Sequence, residues 1–288
     1  MMKTEEMRSF AQPPQIGIGS LPKARIIDGD IRHAPWQNHL LAALPAFAYE
    51  RLAPCLELVH MPLCDVLYES GDELHDVYFP TTAIVSLLCV TENGTSSEIA
   101  GVGNEGVIGV ALLMGGSTMP TLAVVLHAGF AYRLEARLLK EEFRRTEERH
   151  TGALQNLLLR YTQTLMTQIS QVATCNRHHS VEKQLCRWLL LNLDRSPANQ
   201  LTIAQELIAG AFGIRHEIIA EAAEILQHAG LVGYRSGHIT VLDRYGLENR
   251  ACECYHVVKT EFDRLFPDVT ATRAAALKPV WRTRAITH

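Results

Sequence analysis

One short segment restricts the fold of this chain more than any other feature of its sequence. Ala209 is followed after three residues by Gly213, and after five more by Ile219. A small residue at 209 lets two helices cross closely, and glycine at 213 permits the positive φ of a tight turn between them. The positions that two such helices would bury together are apolar: Ile208, Phe212, Ile214, Ile219 and Ala222. The spacing therefore predicts a helix-turn-helix whose core contains Ala209, Gly213 and Ile219.

A hairpin is predicted directly after the second helix of this unit. Residues 231–234 and 239–241 have the pattern of two short strands, and residues 235–238 form the turn between them. A hairpin in this position is a wing, so the pattern favours a winged helix-turn-helix over residues 177–266. This domain is predicted to open with a helix over residues 181–192, followed by a turn. A helical hairpin that serves only as a packing module is the alternative.

The pattern between residues 56 and 134 is that of strands. Runs rich in Val, Leu, Tyr and Phe recur at intervals of about 8–12 residues and are separated by Pro and Gly. Asn93-Gly94 is typical of a tight hairpin turn. These features predict a jelly roll, or double-stranded β-helix, within residues 37–150. Residues 1–36 are predicted to form a flexible arm, and residues 267–288 a C-terminal tail.

One long helix is predicted between the two domains, over residues 151–176. Apolar residues recur there at alternating intervals of four and three, the pattern of a coiled-coil seam. The residues are Leu154, Leu158, Tyr161, Leu165, Gln168 and Val172. We interpret them as a dimerisation seam, although a helix packed on its own domain would show the same spacing. The predicted fold class is α+β: a jelly roll, a dimerisation helix and a winged helix-turn-helix.

The composition favours a soluble, cytoplasmic protein. Among 288 residues 47% are hydrophobic and 20% are charged, as in ordinary globular domains. The chain contains no apolar run near the roughly 20 residues that a membrane span needs. Seven cysteines are scattered without a signal peptide, which favours reduced thiols in a cytosol. No catalytic arrangement of Ser, His, Asp or paired carboxylates stands out, so we do not expect an enzyme.

The order of these domains resembles that of the Crp/Fnr family of bacterial transcription regulators, over residues 38–266. The segments that carry the resemblance are NHLLAALP at 38–45, VYFP at 77–80, GNEGVIG at 103–109, CNRHHSVE at 175–182 and DRYGL at 243–247. The resemblance implies a homodimer that binds near-palindromic promoter DNA and contacts RNA polymerase. A small-molecule or redox-sensing module whose winged domain serves protein contacts is the alternative function.

If the second helix enters a major groove, its exposed N-terminal face presents the candidate DNA-binding residues Arg215, His216, Glu217, Ala220 and Glu221. On the wing, Tyr234, Arg235 and His238 would reach the flanking backbone. Between residues 177 and 264, ten Lys and Arg oppose eleven Asp and Glu, a net charge of −1. We therefore expect modest non-specific affinity with a shallow salt dependence.

The glycine-rich segment of the roll, residues 101–116, departs from cyclic-nucleotide-binding relatives. Where those relatives carry Glu and Arg for the ribose and the cyclic phosphate, this chain has Val110 and the pair Met119-Pro120. Between Ile99 and Tyr132 the only formal charge is that of Glu105. A buried phosphate without a counter-charge is costly, so we do not expect cyclic AMP to bind in the usual manner. The effector, if there is one, stays unidentified.

The cysteines suggest neither a metal nor a cofactor from their spacing alone. Cys252 and Cys254, with His256 nearby, lie on a predicted helix, where a two-residue separation points side chains about 200° apart. His178 and His179 are interpreted as solvated or hydrogen-bonded hinge residues. Cys175, at the same hinge, would sense oxidants only if it were exposed with a lowered pKa. The residues therefore predict ordinary packing at these positions.

Overall fold

The computed structural model describes residues 34–147, 152–196 and 201–266. Within these ranges the chain forms an antiparallel β-roll, a long connecting helix, and a helical unit with a small sheet. The predicted fold class is confirmed. The predicted arm lies outside the described residues up to residue 33, and the predicted tail lies outside them entirely.

Two antiparallel sheets form the roll. One has the strand order β1-β7-β3 and the other β2-β6-β4-β5. The strands are β1 (Glu57–Met61), β2 (Val66–Tyr68), β3 (Asp76–Pro80), β4 (Ile84–Val90), β5 (Ser96–Val102), β6 (Leu122–His127) and β7 (Gly129–Glu135). The predicted turn between β4 and β5 is present, and Gly94 adopts a φ of 82° there. Apolar side chains from both sheets form one continuous core.

Two short helices precede the roll, α1 (His39–Ala42) and α2 (Ala46–Leu52). The buried side chain of Asn38 caps α1 by accepting hydrogen bonds from the backbone N–H groups of Leu40 and Leu41. Its amide also donates to the carbonyls of Pro80 at 2.9 Å and Gly106 at 2.8 Å. One side chain thereby joins the first helix to the end of β3 and to the loop that contains Gly106.

The long helix α4 (Ala153–His178) follows α3 (Ala136–Glu147) and packs on the roll of its own chain. Gln168 donates its amide to the Gly101 carbonyl at 3.3 Å. The predicted seam residues are all buried within the protomer: Leu154, Leu158, Tyr161, Leu165, Gln168 and Val172. Leu154, Leu158, Tyr161 and Leu165 belong to the core of the roll, so this face of α4 packs within its own chain, the alternative that the spacing left open.

The C-terminal unit begins with α5 (Val181–Arg195), three residues longer than predicted. After it come β8 (Thr202–Ala204), α6 (Gln205–Phe212), α7 (His216–His228), β9 (Val232–Arg235), β10 (His238–Val241), α8 (Arg244–Arg250) and α9 (Glu253–Leu265). The predicted hairpin β9–β10 gains β8 as a third strand, in the order β8-β10-β9. The last helix, α9, packs along α4. Across the three described ranges, none of the helices is long and apolar enough to cross a membrane.

Candidate nucleic-acid interface

The turn between α6 and α7 has the geometry that its sequence predicts. Gly213 ends α6 with φ 66° and ψ 28°, in the left-handed region that favours glycine. The Ile214 N–H returns to the Ala209 carbonyl at 3.2 Å. Ala209 is 6% exposed and Ile219 is fully buried, so both lie where the two helices pack together.

Gly213 is also restricted by a neighbour that the spacing did not indicate. A Cβ atom at this position would overlap the Ser96 carbonyl oxygen, at the start of β5. The Ser96 hydroxyl donates to the Gly210 carbonyl at 3.0 Å. The edge of the roll therefore sits directly over the turn, and only glycine leaves room for it.

The N-terminal face of α7 is open to solvent. Arg215 at the N-cap, His216, Glu217 and Glu221 are exposed, while Ala220 is half-buried. The side chains of His216 and Glu217 are 58% and 57% exposed, and the His216 Nε2 lies 3.6 Å from the Glu217 Oε1. The pKa of Glu217 is lowered, first by its own backbone N–H at the helix start and then by the nearby His216 and Arg215. This face therefore offers two basic groups and an ionised acceptor.

The wing lies beside this helix. Arg235 and His238 are exposed and pair with each other in the antiparallel register of β9 and β10. Tyr234 is half-buried, and its hydroxyl donates to the Gln205 side chain at the start of α6. Since that hydroxyl hydrogen is already used, Tyr234 orients the wing on α6 rather than presenting a free donor.

A cleft separates the β4–β5 turn from the start of α7. Its walls include Thr95 and Ser96 on the roll side and Gly213, Arg215, His216 and Glu217 on the helix side. The roll thus borders the candidate DNA-binding face without burying it. The structure brings the predicted residues of α7 together on one surface, with Arg235 and His238 on the neighbouring wing.

A buried carboxylate ties the two domains together. Glu98 on β5 is 7% exposed and accepts hydrogen bonds from the Ser86 hydroxyl at 2.6 Å and from the Trp188 indole N–H at 2.9 Å. Burial raises the pKa of Glu98, against the opposing effects of Ser86, two arginines and Trp188. Sequence reasoning missed this contact because its two ends are 90 residues apart.

A buried arginine packs against the glycine-rich segment. Arg195 at the end of α5 donates its Nε to Glu105 at 2.7 Å. Cβ atoms placed at Gly101 and Gly103 would lie 2.7 Å from the side chain of Arg195, and one at Gly106 would overlap the Tyr161 hydroxyl. The glycine-rich segment contains no Lys or Arg. The C-terminal unit places the Arg195 guanidinium beside it, but the carboxylate of Glu105 already pairs with this cation.

The structure places the C-terminal cysteines differently from the sequence interpretation. Helix α9 begins at Glu253, so Cys252 is its N-cap residue with an extended backbone at φ −76° and ψ 164°. The expected separation of about 200° between Cys252 and Cys254 therefore does not apply, because it holds only inside a helix. Both thiols turn inward and form a buried cluster with Cys175. Cys175 is fully buried, with a raised pKa, so it does not meet the conditions for an exposed oxidant sensor.

Residues 183–250 match the family model of the Crp-like helix-turn-helix domain. That range contains α6, α7 and the wing. No curated protein matches the chain.

Solved structures of Crp/Fnr regulators share the fold. The c-di-GMP-responsive global regulator CLP of Xanthomonas campestris is 14% identical, with 68% of this chain and 99% of that chain covered at a TM-score of 0.55. FixK2 from Bradyrhizobium japonicum is 15% identical, with 68% and 98% covered and a TM-score of 0.55. A CRP-family transcriptional regulator from Thermus thermophilus is 18% identical, with 67% and 96% covered and a TM-score of 0.53. The resemblance indicated by the sequence is thereby confirmed: the chain has the Crp/Fnr regulator fold and carries a Crp-like helix-turn-helix domain.

Proposed function

We propose that this chain is a sequence-specific DNA-binding transcription regulator that binds near-palindromic promoter sites as a homodimer and contacts RNA polymerase. The observation that carries the proposal is the exposed N-terminal face of α7, which follows the Gly213 turn and lies beside the wing. In a winged helix-turn-helix, the helix in this position enters the major groove. The family match over residues 183–250 supports the same role.

Two exposed residues of this face and two on the wing have distinct roles in the proposal. Arg215 donates to a phosphate or to a guanine edge, and Glu217, whose pKa is lowered, accepts from a cytosine amino group. Arg235 and His238 on the wing contact the flanking backbone. Acidic residues on α7 oppose these cations, which keeps non-specific binding modest and its salt dependence shallow.

In this proposal the homodimer uses a different face of α4 from the one that spacing indicated. Leu159 and Met166 are 49% and 63% exposed, and Ala173 continues the same stripe seven residues further on. A repeat of seven is the spacing of a coiled coil, and a stripe on one helix is self-complementary across a two-fold axis. We assign the dimer contact to Leu159, Met166 and Ala173 of two copies of this chain.

Regulation in this proposal acts on the packing of the helix-turn-helix against the roll. An effector shifts such an equilibrium only if it binds one arrangement more tightly than the other. The effector in this proposal is not cyclic AMP bound in the usual manner, since Val110 and the pair Met119-Pro120 stand where cyclic-nucleotide-binding relatives carry the Glu and Arg that hold the ribose and the cyclic phosphate. Calorimetry with cyclic AMP and cyclic GMP tests this part, and a micromolar dissociation constant for either would contradict it.

The DNA-binding role is tested with DNA selected by the purified full-length protein from a random library. Fluorescence anisotropy then compares wild type with Arg215→Ala. We expect affinity to fall roughly ten- to a hundredfold, the cost of about 1–3 kcal/mol for losing an arginine contact to a base. The matched control is Arg137→Ala, which removes an equal charge from a residue on α3 whose side chain is 70% exposed.

Two results would contradict the proposal. Equal affinity of the Arg215→Ala and Arg137→Ala proteins would remove the assignment of α7 as the reading helix. A folded wild-type protein that selects no DNA would favour the alternative, in which the winged domain serves protein contacts.

A further inference from the structure

Four metal-ligating side chains meet where α4 ends and α9 begins. Cys175 and His179 come from the last turn and C-cap of α4, while Cys252 and Cys254 come from the N-cap and first turn of α9. One ligand atom from each lies within 4.8 Å of all the others. Two segments 77 residues apart in sequence thus deliver four ligands to one point.

The distances fit tetrahedral coordination. A zinc ion with Zn–S bonds of about 2.3 Å and a Zn–N bond of about 2.0–2.1 Å requires ligand separations of roughly 3.8 Å between sulfurs and 3.6 Å between sulfur and nitrogen. The Sγ atoms of Cys175 and Cys252 are 3.6 Å apart, and the Cys254 Sγ lies 3.7 Å from the His179 Nδ1. These two separations therefore have the lengths of edges in a Cys₃His tetrahedron, and all the ligand atoms lie within 4.8 Å of one another.

The orientation of His179 is an independent observation. Its Nδ1 points into the cluster, while its Nε2 lies 3.4 Å from a carboxylate oxygen of Glu253. A metal-binding histidine almost always donates its other ring N–H to a carboxylate or carbonyl group, which fixes the tautomer and the ring. Glu253 stands between the two cysteines of α9, so the same short segment supplies two ligands and the group that orients a third.

Burial indicates a structural site. Cys175, Cys252 and Cys254 are at most 2% exposed, and the side chain of His179 is 14% exposed. Four protein ligands leave no open position for a substrate, which distinguishes structural zinc from catalytic zinc. Three thiolates and a neutral imidazole around Zn²⁺ carry a net charge of −1, and the buried side chain of Arg187 is among the charges that act on Cys175.

We propose that Cys175, His179, Cys252 and Cys254 bind one Zn²⁺ per chain and fasten the start of α9 to the end of α4. On binding, each thiol releases its proton to solvent and forms a Zn–S bond, while His179 binds through Nδ1 without changing its charge. The connection from α4 to α5 begins at His179, so the metal also restricts the orientation of α5 relative to α4. The inference does not depend on DNA binding.

Metal analysis of the full-length protein, purified under reducing conditions without added chelator, tests the proposal. We expect about one zinc per chain by mass spectrometry of the metal content. Replacement of zinc by Co²⁺ should produce the thiolate charge-transfer and ligand-field absorption bands of tetrahedral cobalt. This spectrum reports the ligand set in the wild-type protein and therefore does not depend on whether a variant folds.

Two variants and a matched control test the ligand assignment. Cys254→Ser and His179→Gln should each lower zinc affinity, measured by competition with a chromophoric chelator, by tenfold or more. Cys186→Ser is the matched control, because Cys186 is also fully buried but belongs to a different cluster, in the core of the helical unit. Its zinc content should equal that of wild type.

Specific results would overturn the proposal. A folded wild-type protein that contains no zinc and takes up none at micromolar Zn²⁺ would contradict it. So would a cobalt spectrum of octahedral rather than tetrahedral form. A disulfide between Cys175 and Cys252, found by peptide mapping in protein purified anaerobically with zinc present, would show a redox pair in place of a metal site.

Discussion

Trp188 on α5 donates its indole N–H to the buried carboxylate of Glu98 on β5 at 2.9 Å. The two residues belong to different domains, so this hydrogen bond helps to set how the helix-turn-helix sits on the roll. Ser96, at the start of the same strand, approaches the turn at Gly213. Strand β5 of the roll therefore contacts both α5, the first helix of the C-terminal unit, and the turn between α6 and α7.

The raised pKa of Glu98 predicts a pH-dependent stability. A carboxyl group whose folded-state pKa is raised contributes stability that is fully present below its ordinary pKa of about 4.3 and is lost as pH rises through the folded-state value. In urea denaturation followed by tryptophan fluorescence, the free energy of unfolding of Glu98→Gln should therefore rise relative to that of wild type as the pH increases above about 4.3. Glu92→Gln, at an exposed position, is the control. An identical pH profile for all three proteins would contradict the prediction.

Gly213→Ala should destabilise the protein by about 2 kcal/mol or more, through positive-φ strain and the approach of the Ser96 carbonyl. Gly230→Ala is the matched control: Gly230 has a φ of 75°, but a Cβ there meets no atom within 4 Å. The difference between the two variants, measured by chemical denaturation, isolates the contact with the roll. Equal losses would show that this contact contributes nothing.

Arg195→Met should cost roughly 3–5 kcal/mol, since it leaves the carboxylate of Glu105 without its buried partner. The double variant Arg195→Met/Glu105→Gln should recover part of that loss. Arg137→Met, from an exposed pair with Glu141, should change stability by no more than about 0.5 kcal/mol. Denaturation curves of the four proteins provide the comparison. A double variant no more stable than Arg195→Met would argue against direct coupling between Arg195 and Glu105.

Met166→Glu should convert a dimer into monomers, because it places charge in the middle of the exposed stripe on α4. Met114→Glu is the control, since Met114 is equally exposed, at 63%, but lies on the roll. Sedimentation velocity measures the outcome. A Met166→Glu protein that stays dimeric would remove the stripe from the dimer contact.

Local patterns were sufficient to predict most elements of the fold. The strand period, Asn93-Gly94 and the spacing from Ala209 to Ile219 each predicted an element that the structure contains. These signals are reliable because they reflect backbone conformation over a few residues. The alternating intervals of four and three over residues 151–176 also predicted the long helix, but we assigned its buried face to a second copy of the chain. A heptad pattern shows that one face of a helix is apolar and does not show what covers that face.

The sequence by itself determined which segments form strands, helices and tight turns, and it predicted a helix-turn-helix. Tertiary structure alone decided that Arg195 reaches Glu105, that Ser96 covers Gly213, and that Cys175 and His179 meet Cys252 and Cys254. The physical reason is chain distance. Secondary structure depends on neighbours within a few positions, whereas these contacts join residues dozens of positions apart, which come together only when whole faces pack.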